Sequence, residues 1–213
     1  MLLAAERAEV VAHCLRMERD GLTVGTSGNV SVRAGELLAI TPSGVPYTEL
    51  TPAAVCVTDL DGVPVEPGPV PSTELPMHTA VYRATDASAV VHTHPLYATA
   101  LSTLVDELPA VHYMIALLGG PVRVAAYATF GTTDLAEAGV AAMAGRSAVI
   151  LRNHGATTYG DGLAQAYTRS VYLEWLCRLY HQARLLGEPR LIPDDELDRV
   201  AARLESYGQA GSP

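Results

Sequence analysis

The sequence lacks lysine: in a chain of 213 residues, all fourteen side chains counted as lysine or arginine are arginine. This absence excludes chemistry that needs a lysine amine, namely Schiff-base aldol cleavage, covalent attachment of pyridoxal phosphate and phosphate loops of the GxxxxGK[ST] type. Any carbanion formed by this protein therefore needs a different electron sink.

Basic charge is scarce as well. The chain has 23 acidic residues, a formal net charge of -9 and an isoelectric point near 5.2, and its arginines are scattered along the sequence. A nucleic-acid partner requires a concentrated basic face. We therefore expect no nucleic acid among the partners.

Cysteines and long apolar runs are also few. Cys14, Cys56 and Cys177 lie far apart and form no CxxC pair, which predicts free thiols in a reducing compartment. The most apolar stretch, residues 111–131, is interrupted by polar residues, glycine and proline well before the roughly 20 residues of a membrane span. Charged residues close behind the N-terminus break a signal-peptide pattern. These features predict a cytoplasmic protein with no membrane partner.

What the chain does contain is typical of a globular fold, with 49% hydrophobic and 17% charged residues. A helical pattern up to about Asp20 is followed by short β-branched runs, and strand and helix patterns then alternate as far as a long helix over residues 163–186. No linker or internal repeat interrupts this order. The sequence predicts an α/β fold in a single domain, residues 1–213.

The strongest chemical signal is a set of histidines at predicted strand ends. His92 and His94 lie two residues apart on one strand, whose period of two places both imidazoles on the same face. His154 ends another strand, so three imidazoles could hold a catalytic zinc with one open position. Glu74 opens a helix beside a hydroxyl pair, where its carboxylate could hold the metal at rest and serve as a base once substrate displaces it.

A His-x-His pair on a strand is also common without any metal, as a surface or hydrogen-bonded pair. The metal interpretation is favoured because all three of these histidines end hydrophobic strands, where a buried imidazole without a partner is costly. His112 is left unassigned. The histidines on helical patterns are interpreted as structural: His13, His78 and His181.

Three loops are rich in glycine and hydroxyl groups, at residues 25–29 (GTSGN), 41–44 (TPSG) and 71–73 (PST). Each offers backbone N–H groups with little side-chain cover and Ser, Thr or Asn donors, which is how a protein without lysine can hold a phosphate. Taken singly, such a loop is more often an ordinary turn.

Five motifs, taken in order and spacing, resemble the class II aldolase/adducin family. They are GTSGN (25–29), ITPSG (40–44), PSTE (71–74), HTHP (92–95) and NHG (153–155). The resemblance covers the chain from the first helix to the long helix. It implies a three-layer α/β/α fold around a mostly antiparallel central sheet, one zinc ion (Zn2+) per subunit, and a homotetramer with active sites between neighbouring subunits.

The same resemblance assigns the metal and phosphate residues. His92, His94 and His154 match the family's zinc ligands, and Glu74 matches its catalytic acid/base, which also ligates zinc at rest. The phosphate-binding positions are matched by the following residues: Gly28, Asn29, Ser43, Gly44, Ser72 and Thr73.

On the aldehyde side of the substrate, Tyr113 matches a catalytic tyrosine donated across the subunit interface. Phe130 and Tyr207 match further residues that line this side. The related epimerases carry aspartate where this chain has Glu74, which favours an aldolase. Thr73 departs from the serine that is common in the family's aldolases and adds a methyl group to the phosphate pocket.

The implied activity is zinc-dependent retro-aldol cleavage of a ketose 1-phosphate similar to L-fuculose 1-phosphate, giving dihydroxyacetone phosphate and a short aldehyde. One alternative on the same scaffold is another sugar-phosphate lyase, such as a methylthioribulose-1-phosphate dehydratase. A second alternative is a binding module that keeps the fold without the chemistry. The intact set of three histidines and one glutamate argues against that second alternative.

Overall fold

The computed structural model describes residues 1–205, which form an α/β fold, as predicted. The helices are α1 (Ala4–Arg19), α2 (Leu75–Ala84), α3 (Leu96–Ser102), α4 (Thr133–Met143), α5 (Leu163–Leu186) and α6 (Asp194–Glu205). The strands are β1 (Asn29–Ala34), β2 (Leu37–Ile40), β3 (Cys56–Asp59), β4 (Ala89–Thr93), β5 (Glu107–Leu108), β6 (Val122–Ala125), β7 (Ala148–Leu151) and β8 (Gly155–Gly160).

The strands form an eight-stranded sheet in the order β3-β2-β1-β4-β8-β7-β6-β5. β6 and β7 pair in parallel, whereas the other neighbouring strands pair antiparallel. The sheet is therefore mixed, and the expectation of a mostly antiparallel sheet is corrected by this parallel pair. The physical reason is the connection: the chain leaves β6, passes through α4 and enters β7 in the same direction, which is the crossover that parallel neighbours require.

Strand β4 is buried along its whole length and contacts helices on both of its faces. Val90 joins an apolar cluster with side chains of α2 and α4. Ala89 and Val91 join a different cluster with side chains of α1 and α5. This alternation is the period of two of a strand covered on both sides. The three-layer arrangement of the whole sheet stays a prediction.

The long helix α5 matches the predicted bounds, Leu163–Leu186, and ends at Gly187. Its buried side chains include Leu173, Leu176, Cys177 and Tyr180, whose spacing of three and four residues places them on one face against the sheet. The sequence pattern was sufficient here because the helix is long and its apolar stripe is continuous.

The cysteines are free, as predicted, and the helices can be compared with the dimensions of a membrane span. All three cysteines are free and buried. Among residues 1–205, no helix combines the length and the apolar composition needed to cross a bilayer.

Candidate active site

Three histidines meet where β4 and β8 pair at the centre of the sheet. β4 ends at Thr93, which pairs with Ala156 of β8. His92 and His94 therefore lie opposite the start of β8. Because β8 begins at Gly155, His154 directly precedes it. Gly155 makes this approach possible, because a Cβ at that position would lie 2.2 Å from the Thr93 carbonyl oxygen. The strand pairing thus brings the predicted ligands together.

The side chains of the three histidines and Glu74 converge on one point. The Nε2 atoms of His92 and His94 are 2.9 Å apart, and His92 Nε2 is 3.0 Å from Glu74 Oε2. His154 Nε2 is 3.3 Å from Glu74 Oε1, and the four ligand atoms all lie within 4.8 Å of one another. Tetrahedral zinc with Zn–N bonds of about 2.0–2.1 Å separates its nitrogen ligands by about 3.3 Å. The donor set and its spacing therefore fit a divalent metal.

The electrostatics of this cluster favour ligation. Burial, together with the neighbouring His92 and His154, lowers the pKa of His94 to about 3. Burial and His92 likewise lower the pKa of His154. These imidazoles are neutral near pH 7 and keep a lone pair for a metal. Burial alone would raise the pKa of Glu74, but His92, His154 and Asn29 together outweigh it and hold this pKa below its usual value.

Glu74 is fixed at the N-terminal end of α2, where only 6% of the residue is exposed. Its backbone N–H donates to the Ser72 hydroxyl oxygen at 3.2 Å. Its carboxylate accepts a hydrogen bond from Asn29 Nδ2 at 3.0 Å. The side chain thus reaches the cluster from the end of a helix, and a hydrogen bond from Asn29 of β1 fixes its carboxylate.

His78, which the sequence analysis interpreted as structural from its helical pattern, lies next to the candidate site. Its Nε2 lies 2.5 Å from Asn29 Oδ1, so it contacts the residue that holds Glu74. The available signal was its position four residues after Glu74, which puts both side chains on the same side of a helix.

A cleft of about 380 Å³ opens next to the histidine cluster and brings the three loops together. The loops are tied by backbone hydrogen bonds, from Ser43 N–H to the Val70 carbonyl at 2.9 Å and from Ser72 N–H to the Thr41 carbonyl at 3.0 Å. All the predicted phosphate positions line this cleft: Gly28, Asn29, Ser43, Gly44, Ser72 and Thr73. Glu74, His94 and His154 line it too, so the loops and the candidate metal centre share one cavity.

The aldehyde-side residues fall in different places. Phe130 lines the cleft beside Tyr127, and both rings are largely exposed. Tyr113 is not among the residues that line the cleft; it lies in a separate groove with Met114 and is 47% exposed. Within one chain the structure therefore does not bring Tyr113 to Glu74. Tyr207 lies outside the described residues.

Comparison with known proteins agrees with this geometry. The profile of the family described as class II aldolase and adducin N-terminal domain matches residues 8–181. The chain belongs to this family. It is a class II aldolase, and its reaction class is that of a lyase. The resemblance of the five motifs is thus confirmed.

Several aldolases are similar over almost their whole length. Over 212 residues the chain is 44% identical to 5-deoxy-D-ribulose 1-phosphate aldolase of Bacillus thuringiensis serovar kurstaki, covering 98% of this chain and 100% of that protein. It is 41% identical over 190 residues to 5-methylthioribulose-1-phosphate/5-deoxyribulose-1-phosphate aldolase of Rhodospirillum rubrum, covering 88% and 86%. It is 39% identical over 203 residues to L-fuculose phosphate aldolase of Escherichia coli strain K12, covering 94% of each chain.

Solved structures share the fold of this aldolase. An L-fuculose 1-phosphate aldolase superposes with a TM-score of 0.93 at 38% identity, covering 96% of this chain and 98% of the other. An L-fuculose-1-phosphate aldolase from Thermus thermophilus gives a TM-score of 0.75 at 31% identity, covering 86% and 97%.

Proposed function

We propose that this class II aldolase cleaves a short, methyl-terminated ketose 1-phosphate into dihydroxyacetone phosphate and an aldehyde. The observation that carries the proposal is the shared cleft, in which a Glu/His3 cluster adjoins three loops suited to a phosphate. A phosphate at the loops and a reacting carbon at the cluster would belong to the same small molecule.

Within this class we favour 5-deoxyribulose 1-phosphate over L-fuculose 1-phosphate. The support is the identity of 44% and 41% to aldolases named for 5-deoxyribulose 1-phosphate, against 39% for the L-fuculose phosphate enzyme. Cleavage between C3 and C4 would release acetaldehyde from the first sugar and lactaldehyde from the second. The rings of Tyr127 and Phe130 offer an apolar wall for the methyl end of either aldehyde.

We infer that His92, His94, His154 and Glu74 hold one zinc ion per subunit. Three imidazoles with one carboxylate are a typical donor set for zinc, and the chain has no lysine to provide an iminium instead. When bound, zinc supplies the positive charge that stabilises the electron pair left behind when the C3–C4 bond breaks.

The protein's own groups account for the protons. In the cleavage direction the C4 hydroxyl loses its proton, the C3–C4 bond breaks, and C3 of the dihydroxyacetone phosphate half gains a proton. We assign the transfer at C3 to Glu74, which is held rigidly at the cleft. In the synthesis direction its ionised carboxylate takes the C3 proton of dihydroxyacetone phosphate, and in the cleavage direction the resulting carboxylic acid returns that proton to C3. We assign the proton of the aldehyde oxygen to Tyr113 of a neighbouring subunit.

The remaining features of the proposal concern the whole chain. We propose that residues 1–213 act as a single three-layer α/β/α domain in the cytoplasm, consistent with the free, buried cysteines. We also propose a homotetramer with active sites between subunits. The support is Tyr113, which is half-exposed and outside its own chain's cleft, as a residue used by a neighbour would be.

The test is proton exchange at C3 of labelled dihydroxyacetone phosphate, measured with and without a chelator, because this half-reaction is independent of the aldehyde. Chelator-sensitive exchange with acetaldehyde release from 5-deoxyribulose 1-phosphate would support the proposal. Faster release of lactaldehyde from L-fuculose 1-phosphate would overturn the substrate choice. Loss of water from methylthioribulose 1-phosphate without exchange would replace the aldolase with a dehydratase.

A further inference from the structure

A continuous chain of hydrogen bonds leads through the protein interior to the Glu74 carboxylate. Asn29 Nδ2 is 3.0 Å from Glu74 Oε2, and Asn29 Oδ1 is 2.5 Å from His78 Nε2. On the other side of the imidazole, His78 Nδ1 is 2.6 Å from Ser31 Oγ, which is 2.8 Å from the Tyr82 hydroxyl. His78 and Ser31 are both 0% exposed, so bulk water does not substitute for any of these partners.

The protons in this chain can be placed by elimination. An ionised carboxylate only accepts, so the Asn29 amide must turn its NH2 group toward Glu74 and its carbonyl oxygen toward His78. His78 Nε2 must then carry the hydrogen that this carbonyl accepts. A fully buried imidazole is neutral and has one N–H, which leaves Nδ1 as an acceptor. Ser31 therefore donates to His78, and Tyr82 donates to Ser31.

We propose that His78 is a positioning residue for Glu74. Its Nε2–H tautomer, fixed by the Ser31 hydroxyl, orients the Asn29 amide so that its NH2 group faces the carboxylate. This inference rests on the proposed role of Glu74 in moving the C3 proton. Without the His78 donor, the Asn29 amide can turn over, and its carbonyl oxygen then faces the carboxylate and repels it.

The geometry separates this role from substrate binding. The hydrogen bonds of His78 run to Ser31 and Asn29, and His78 is not among the residues that line the cleft. Asn29 is also one of the predicted phosphate positions, but its side-chain amide contacts Glu74 and His78. Loss of the His78 donor should therefore change the placement of Glu74 more than the binding of phosphate. In kinetic terms kcat should fall while KM changes little, because an interaction that orients a reacting group acts mainly in the transition state.

The first test is the tautomer of His78, read from the ring nitrogens in a protein labelled with 15N-histidine, both metal-free and zinc-loaded. The His78 signals are assigned as those missing from the spectrum of a His78→Gln variant. We expect a protonated Nε2 and an unprotonated Nδ1. A protonated Nδ1 would overturn the proposal. This measurement does not depend on activity. A folded variant is needed only to assign the His78 signals.

The second test compares three variants. His78→Met fills a similar volume but removes the donor, so we expect kcat to fall by about 10–100-fold, as is typical when the residue that orients a ligand is lost. His78→Gln keeps an N–H donor near the position of Nε2 and should recover most of the loss. His181→Met, the same replacement at a half-buried position of α5 away from the cleft, should leave kcat unchanged.

Two further measurements separate the outcomes. Circular dichroism and zinc content identify folded, metal-loaded variants, and a folded His78→Met protein with unchanged kcat would overturn the proposal. The proposal would also be overturned if kcat fell equally in His78→Gln and His78→Met, in proportion to the fall in melting temperature. That result would indicate that His78 contributes only through packing. If the unaltered protein cleaves no ketose phosphate, the proposed function fails, whereas the tautomer measurement still decides the arrangement at His78.

Discussion

Glu74 is surrounded by groups that attract negative charge, although it is almost fully buried. His92 and His154 approach its two oxygens at 3.0 Å and 3.3 Å, and Asn29 donates a hydrogen bond to the oxygen that His92 contacts. A buried carboxylate in this setting stays ionised at neutral pH because its neighbours outweigh the cost of desolvation. The residue is therefore suited both to hold a cation and to accept a proton.

Replacing Glu74 by glutamine tests the second of these roles. Glu74→Gln keeps the shape of the side chain and one oxygen, so we expect zinc and phosphate to bind while proton exchange on dihydroxyacetone phosphate falls at least about a hundredfold. Exchange is measured by release of label from C3, and zinc by metal analysis. Glu49→Gln, an exposed replacement of the same kind, is the control. Retained exchange in Glu74→Gln would remove Glu74 from the proton-transfer step.

Gly155 offers a second test at a single position. A methyl group there would lie 2.2 Å from the Thr93 oxygen, so Gly155→Ala must push β8 away from the histidines of β4. We expect a loss of about 1–3 kcal/mol in the free energy of unfolding and weaker zinc binding, measured by thermal unfolding and chelator competition. Gly68→Ala, in an exposed loop, has nothing within 4 Å of the added Cβ and is the matched control. Equal behaviour of the two variants would contradict the steric argument.

Single residues also mark how far sequence reasoning reaches. The period of two of a strand was sufficient to pair His92 with His94, and the strand ends suggested His154. Sequence reasoning could not predict the contact between His78 and Asn29. Asn29 lies on β1, 49 positions away in the chain, and the contact depends on how α2 packs against the sheet. The assignments of individual residues to zinc, phosphate and proton transfer remain predictions.

Among the helices, α3 depends on a carboxylate from another helix. Glu174 of α5 accepts hydrogen bonds from the backbone N–H groups of Tyr97 and Ala98, at 2.8 Å and 2.9 Å. These are donors of the first turn of α3, which has no side-chain cap of its own. Since α3 begins directly after His94 and Pro95, Glu174 fixes the chain where it leaves the histidine cluster.

This contact predicts a pH dependence of stability. Burial raises the pKa of Glu174, although the hydrogen bonds from Tyr97 and Ala98 and the charge of Arg178 oppose the rise. The folded protein thus keeps a proton that the unfolded chain releases near its ordinary pKa of about 4.3. The stability contributed by Glu174 is therefore greatest below that pH and falls as the pH rises through the raised value.

The measurement compares Glu174→Gln, which does not titrate, with the unaltered protein. We expect the melting temperature of the unaltered protein, relative to the variant, to decline as the pH is raised from about 4 to about 7. Glu137→Gln, on the exposed face of α4, is the surface control for the substitution itself. A difference for Glu174→Gln that does not change with pH would show that the pKa of Glu174 is not raised.

Element by element, the sequence predicted local structure better than pairing. Helix α5 was predicted to its ends because its apolar stripe is long and regular. The parallel pair of β6 and β7 was not, since strand direction is set by the route of the α4 connection and both strands are only four residues long. The resemblance to a family correctly implied an α/β fold but not this mixed pairing.

At the scale of the whole molecule, Tyr113 lies outside the cleft of its own chain, which predicts active sites shared between subunits. If active sites combine Glu74 of one subunit with Tyr113 of the next, Glu74→Gln and Tyr113→Phe oligomers should each be impaired alone. Co-expression of the two variants should restore activity, because some sites then receive an unaltered residue from each parent. Cleavage rate and oligomer mass are the measurements. Absence of any recovery in verified mixed oligomers would contradict sites shared between subunits.

The central position of β4 and β8 also bears on when the metal can be acquired. His94 and His154 are sixty residues apart in the chain, and they meet only after β8 has docked against β4 in the middle of the sheet. A nascent chain emerges from the ribosome N-terminus first and so presents the His92–His94 pair long before the third imidazole. If these residues hold the metal as proposed, the complete ligand set exists only when most of the chain has been synthesised, and metal loading is then a late step in biogenesis that requires the finished sheet.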